Sequence, residues 1–267
     1  MRPTFAPATA PAAVPWVIAM RILLINPNIS QSVSELIRSE ATHAASVDTR
    51  IDVVTAPVGV AYIETRFEAI VGAYAAACLA AEHEADYDAL IIAAFGDPGV
   101  RGIREAVDIP VVGLTEAALM SACMLGSRFS IVAISRRITA WYRECVLAYG
   151  LIDRLASIRH LDVHLRDVGS VQDDHAEQLR LLCNQAVDED GADVIVLAGA
   201  PLAGLARSIR KELPVPVVDG VSSAVRHAET LVALASGRAT RGSYARPPQK
   251  PNKGLPAALQ ALLERTT

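Results

Sequence analysis

The sequence predicts an α/β protein of two pseudo-symmetric three-layer halves, each built on a four-stranded, mainly parallel sheet, with a cleft between them. Three observations lead there. Short apolar runs such as Ala89 to Ala94 are strand-sized and alternate with helix-length segments, as in strands buried on both faces of a parallel sheet. The order of elements restarts near residue 128. Segments of the second half then repeat the first at a nearly constant offset. Arg128-Phe-Ser-Ile-Val-Ala-Ile-Ser135 follows Arg21-Ile-Leu-Leu-Ile-Asn-Pro-Asn28 by 107 residues, and the Asp193 run follows the Asp88 run by 105. Pro216-Val-Val-Asp219 follows Pro110-Val-Val-Gly113 by 106.

In chain order, Arg21 to Ile25 reads as the first strand, closed by the turn-forming Asn26-Pro27-Asn28. Ser30 suits the N-cap of a helix over roughly 31–46. Ile51 to Val54 is a second strand, 64–85 a long Ala-rich helix and Ala89 to Ala94 a third strand. A short helix near 100–107, a fourth strand at Pro110 to Gly113 and a helix to about 125, which Thr115 could cap, complete the unit. In the second unit Leu161 to Leu165 alternates like a strand, and a helix over 172–190 matches 64–85. The expected division places 20–117 with about 221–240 in the first half and 118–220 in the second. Residues 1–19, rich in Ala and Pro, read as a disordered extension, with Met20 an alternative start. Residues 241–267 read as a tail wrapping the surface, with a short helix over 255–264.

Composition narrows the function. With 52% apolar and 20% charged residues among 267, the chain has ample core. A net charge of −4 without a Lys/Arg tract gives no case for nucleic acid or an anionic membrane. No apolar run approaches the ~20 residues that span a bilayer. Cys78, Cys123, Cys145 and Cys183 show no paired spacing and read as free thiols of a cytoplasmic protein. His160 and His164 would share a strand face about 13 Å apart, too far for one ion, so no metal is expected.

Ligands of parallel α/β sheets sit outside the carboxyl ends of the strands. The loops after Ile25, Ala94, Ser135 and Ala198 are therefore the expected site wall. Ala94, Phe95 and Gly96 lie in one loop, with Asp97 its one ionisable group; Gly199, Ala200 and Pro201 lie in its counterpart. Pro201 has no N–H, whereas the other loop residues offer theirs to an oxyanion. Asp97 could be a catalytic base or hold a substrate N–H, or cap the helix starting near Gly99. Glu116 could be a base or a first-turn complement to the helix dipole. Arg136, with Arg137, could clamp a carboxylate or sit in solvent. Asn26 could bind ligand or make an Asx turn, Asp219 could line the cleft or cap the last helix, and Tyr62 could lend a hydroxyl or pack.

These residues resemble the Asp/Glu racemase superfamily and, within it, the hydantoin and allantoin racemases. The resemblance runs from Met20 to about Pro251. It rests on Ile-Asn-Pro-Asn at 25–28, Phe-Gly-Asp-Pro-Gly at 95–99, Val-Val-Gly-Leu-Thr-Glu-Ala at 111–117 and Leu-Gly-Ser-Arg-Phe-Ser-Ile-Val at 125–132. Val-Val-Asp-Gly-Val at 217–221 and Arg-Gly-Ser-Tyr-Ala at 241–245 continue it. It implies a small carbonyl substrate, no cofactor, and proton transfer between two cysteines facing each other across the cleft; a homo-oligomer is expected. Inversion needs one acid and one base, one on each face of the carbon. Here the two positions carry Ala94 and Gly199, which move no proton. Ala133 and Ile134 stand where relatives place threonines, a loss for which Ser135 could compensate. The expectation is a cofactor-independent isomerase or lyase working without two-thiol proton exchange. The alternatives are a racemase trapped as a cysteine mutant and a non-catalytic small-molecule-binding protein.

Overall fold

The structure is a computed structural model that describes residues 20–162 and 168–265. Its first half runs β1 (Met20–Asn26), α1 (Gln31–Ala44), β2 (Thr49–Thr55), α2 (Arg66–His83), β3 (Ala89–Ile92), α3 (Val100–Ala106) and β4 (Val111–Gly113). After α4 (Leu114–Leu125) the pattern repeats: β5 (Phe129–Ala133), α5 (Thr139–Ala148), β6 (Leu155–His160), α6 (Val171–Asp188), β7 (Val194–Leu197), α7 (Leu205–Ile209) and β8 (Val217–Asp219). Helices α8 (Gly220–Leu234) and α9 (Ala257–Glu264) follow.

The two sheets have the orders β2-β1-β3-β4 and β6-β5-β7-β8, and every pairing is parallel. The central strands β3 and β7 are buried throughout, so Ala-Leu-Ile-Ile and Val-Ile-Val-Leu show no alternation. The edge strands β2 and β6 are half-exposed and carry the polar residues. Helix α4 follows the first sheet yet packs against β7 and β8, while α8 follows the second yet packs on α1, α4 and β3. Glu229 of α8 fixes that docking by accepting from Ser46 N and Thr49 Oγ1, each at 2.7 Å.

Ser30 caps α1 as expected, its hydroxyl accepting from Val33 N. Two local expectations are corrected. The sixth strand is Leu155–His160, not 161–165: Leu161 N donates to Ala133 O just past the strand end. Of the expected segment, 163–165 and His164 lie outside the described residues. Thr115 does not cap α4; it lies inside the helix, and its Oγ1 accepts from Gly96 N across the site. In the tail, Arg238 and Arg246 both reach Asp108, and α9 buries Leu262 against α2.

Candidate active-site cleft

The loops leaving β3 and β7 meet between the halves. Ala94 and Phe95 from the first, and Gly199, Ala200 and Pro201 from the second, line one cavity. Asn28 after β1, Tyr62 and Ile63 before α2, Ile134 after β5, and Ile138 and Tyr142 at α5 complete its wall with Ala93. Its volume is about 30 Å³, room for one or two waters. Among the described residues of that lining no side chain bears a charge at neutral pH, and the polar side-chain groups are the Asn28 amide and two tyrosine hydroxyls.

The backbone at the second loop is unusual. Gly199 has φ 110° and ψ 142°, a region open almost only to glycine. Space is not the constraint, because a Cβ there would meet only Pro201 Cδ at 3.5 Å and Tyr142 Oη at 4.0 Å. The amides of Phe95, Gly199 and Ala200 have no hydrogen-bond partner among the described residues. Asn28 Oδ1 accepts from Ser30 N at 3.0 Å, which leaves Nδ2 unpaired among the described residues.

The structure gathers Tyr62, Ala94, Phe95, Gly199, Ala200 and Pro201 in the cleft and places the other sequence-derived candidates elsewhere. Gly96 and Asp97 line a separate cavity of about 250 Å³ behind the loop, with Arg101, Cys145 and Tyr149. Asn26 is buried in an Asx turn: its Oδ1 accepts from Asn28 N, and its Nδ2 donates to Ser30 O and Ser34 Oγ. Asp219 caps α8, accepting from Ser222 N at 2.9 Å. Glu116 pairs with Arg104 and accepts from Gly113 N at the start of α4. Arg136 is exposed and outside the lining, so the structure does not place it as a carboxylate clamp. Ser135 is also outside the lining; it donates to Glu64, which in turn accepts from Tyr62 Oη at 3.4 Å. That chain ties the segment before α2 to the second half, and Arg66–Glu144 ties it again.

Asp97 departs most from expectation. Its carboxylate does not cap the helix beginning at Val100; it turns to α4, accepting from Thr115 N at 2.8 Å and Glu116 N at 2.9 Å. Tyr149 Oη donates to it at 2.6 Å. Gly113 makes room, because a Cβ there would collide with the carboxyl group. Asp97 holds φ 51°, a left-handed conformation that costs a non-glycine residue about 1 kcal/mol or more and persists because these three bonds fix it. Burial pushes its pKa up to about 6, against the hydrogen bonds from Tyr149 and Thr115, with the Glu116 carboxylate adding to the rise. Burial likewise lifts Asp219 to about 6.

None of the four cysteines, all free, lines the cleft. Cys145, far from the loops in sequence, nevertheless sits under the first one, its Sγ 3.9 Å from Gly96 O. Burial, with Asp97 and Glu144 nearby, pushes its thiol up to about 12, so it is protonated at neutral pH. Sequence reasoning missed Ile138 and Tyr142. The signal was available, since Ile138, Trp141, Tyr142 and Cys145 follow helical i, i+3, i+4, i+7 spacing on one face.

Residues 22–228 match the profile of the Asp/Glu/hydantoin racemase family. The chain belongs to this family. It is 39% identical over 238 residues to the hydantoin racemase of Paenarthrobacter aurescens, covering 86% of this chain and 99% of that one. It is 36% identical over 234 residues to the hydantoin racemase of Pseudomonas sp. strain NS671, covering 86% and 93%. Among solved structures it is similar to allantoin racemase from Klebsiella pneumoniae, with TM-score 0.85, 35% identity and coverage of 90% and 98%. Family membership thus spans both sheets and both loops of the cleft.

Proposed function

We propose that this family member is a cofactor-independent isomerase or lyase whose cleft takes an uncharged cyclic ureide. It works without two-thiol proton exchange. One observation carries the reading: Ala94 and Gly199 stand at the tips of β3 and β7 in a cavity whose lining, among the described residues, has no charged side chain and no thiol. A carboxylate there would lose its hydration without gaining a cationic partner. A ureide ring offers carbonyl oxygens to Asn28 Nδ2 and the unpaired loop amides, while Phe95, Ile134 and Ile138 cover its faces. Such donors stabilise the oxyanion of an enolate-like transition state. The hydantoin and allantoin named for the relatives are the ureides to try first.

The test is a thermal-shift and turnover panel of hydantoins and allantoin against size-matched mono- and dicarboxylates. The reading expects ureides to raise the unfolding temperature and carboxylates to leave it unchanged. Carboxylate binding with ureides inert contradicts it.

A further inference from the structure

Besides Asn28 Nδ2 and the unpaired loop amides, the Tyr142 hydroxyl is a polar group of the cleft that the described residues leave unpaired. Tyr142 is 2% exposed on α5, and its ring lies 4.7 Å from that of Phe95 at 51°. The Trp141 ring also lies close, 5.7 Å between centroids at 47°. Packed against two aromatics, the phenol has little freedom, and its oxygen lies 4.0 Å from where a Cβ on Gly199 would stand. Among the described residues that oxygen has no hydrogen-bond partner, whereas Tyr62, Tyr87 and Tyr149 donate to Glu64, Asp52 and Asp97. A hydroxyl that lines a cavity, lacks a protein partner and is positioned by aromatic packing is arranged for a ligand atom.

We propose that the Tyr142 hydroxyl is a substrate-contacting donor to the carbonyl oxygen of the bound ureide, on the side of the cleft that Gly199 leaves open. The assignment rests on the ureide reading of the cleft. The phenol acts as a donor and not as a base, because burial with Cys145 and Asp97 nearby raises its pKa well above the ordinary 10. As negative charge develops on the substrate oxygen the hydrogen bond strengthens, and the proton stays on the tyrosine.

The experiment is Tyr142→Phe, which keeps the ring and its packing. Without ligand the variant unfolds at the same denaturant midpoint as the wild type or a higher one, since no internal bond is lost. A lower midpoint means the hydroxyl serves the fold and overturns the assignment. Calorimetric titration with hydantoin and with allantoin then separates the remaining outcomes. About tenfold or greater weakening in the variant, with wild-type binding intact, supports the assignment. Equal binding by both proteins overturns it and leaves the ureide reading standing. Absence of binding by the wild type fails the ureide reading itself, and the assignment falls with it.

Discussion

Asp97 holds a left-handed backbone conformation in the loop that carries Ala94 and Phe95, and it does so through bonds to a helix that starts 17 residues later. Its folded pKa of about 6 lies above the ordinary 3.8, so the folded state binds the proton more tightly than the unfolded chain. The stability this group contributes is therefore complete below about pH 4 and is lost as the pH rises through 6. Asp97→Asn abolishes that titration. We expect the stability difference, wild type minus variant, to shrink between pH 4 and pH 6.5 in chemical denaturation, and the wild-type carboxyl to titrate near 6 by NMR. A pH-independent difference contradicts this. Gly199 gives a second prediction at the same scale. Ala94→Cys adds one atom at an ordinary backbone position, whereas Gly199→Cys must adopt φ 110° at a cost of about 1–3 kcal/mol. Only the second should lower the midpoint, so a thiol at position 199 requires the loop to change with it.

The elements most readable from sequence were those whose environment is uniform. Strands β3 and β7 are wholly apolar because helices cover both faces, and their 105-residue offset announced the repeat. Edge strand β6, Leu-Ala-Ser-Ile-Arg-His, has half-exposed residues and no clean period, which displaced its expected position. The site was legible only where chain order builds it. Loops at strand ends revealed Ala94 and Gly199; the wall supplied by α5, and the bonds from Asp97 to α4, are tertiary and leave little local pattern. The segment before α2 is likewise a tertiary device. Glu64 with Ser135, and Arg66 with Glu144 at 2.7 Å between Nε and Oε2, fasten it across a cavity of only about 30 Å³. A five-membered ring needs several times that space, so entry requires the fastening to release. Ser135→Ala and Glu144→Ala should each speed ligand association severalfold in stopped-flow mixing while changing stability by less than about 1 kcal/mol, because exposed pairs contribute little. Unchanged association rates contradict that role.

At the scale of the molecule, exchanged helices hold two copies of one unit against each other, α4 on the second sheet and α8 on the first. A buried carboxylate reinforces the junction: Glu40 of α1 takes Arg207 Nη2 at 2.8 Å and Ser222 Oγ at 2.7 Å. Glu40→Ala should cost about 1–3 kcal/mol of unfolding free energy in denaturant titration. Arg207→Ala should cost less, since that side chain is 43% exposed. A null effect of both would place the cohesion elsewhere in the interface. This frame holds a cleft with Ala94 and Gly199 at the tips of its two loops, where neither residue can move a proton. The decisive measurement follows enantiopure allantoin, or a 5-substituted hydantoin, in D2O by circular dichroism and NMR, before and after the protein is alkylated with iodoacetamide. The expected result is that the ureide binds and that any turnover survives alkylation. Inversion at the ring carbon with deuterium uptake, abolished by alkylation, would mean that a thiol carries the chemistry.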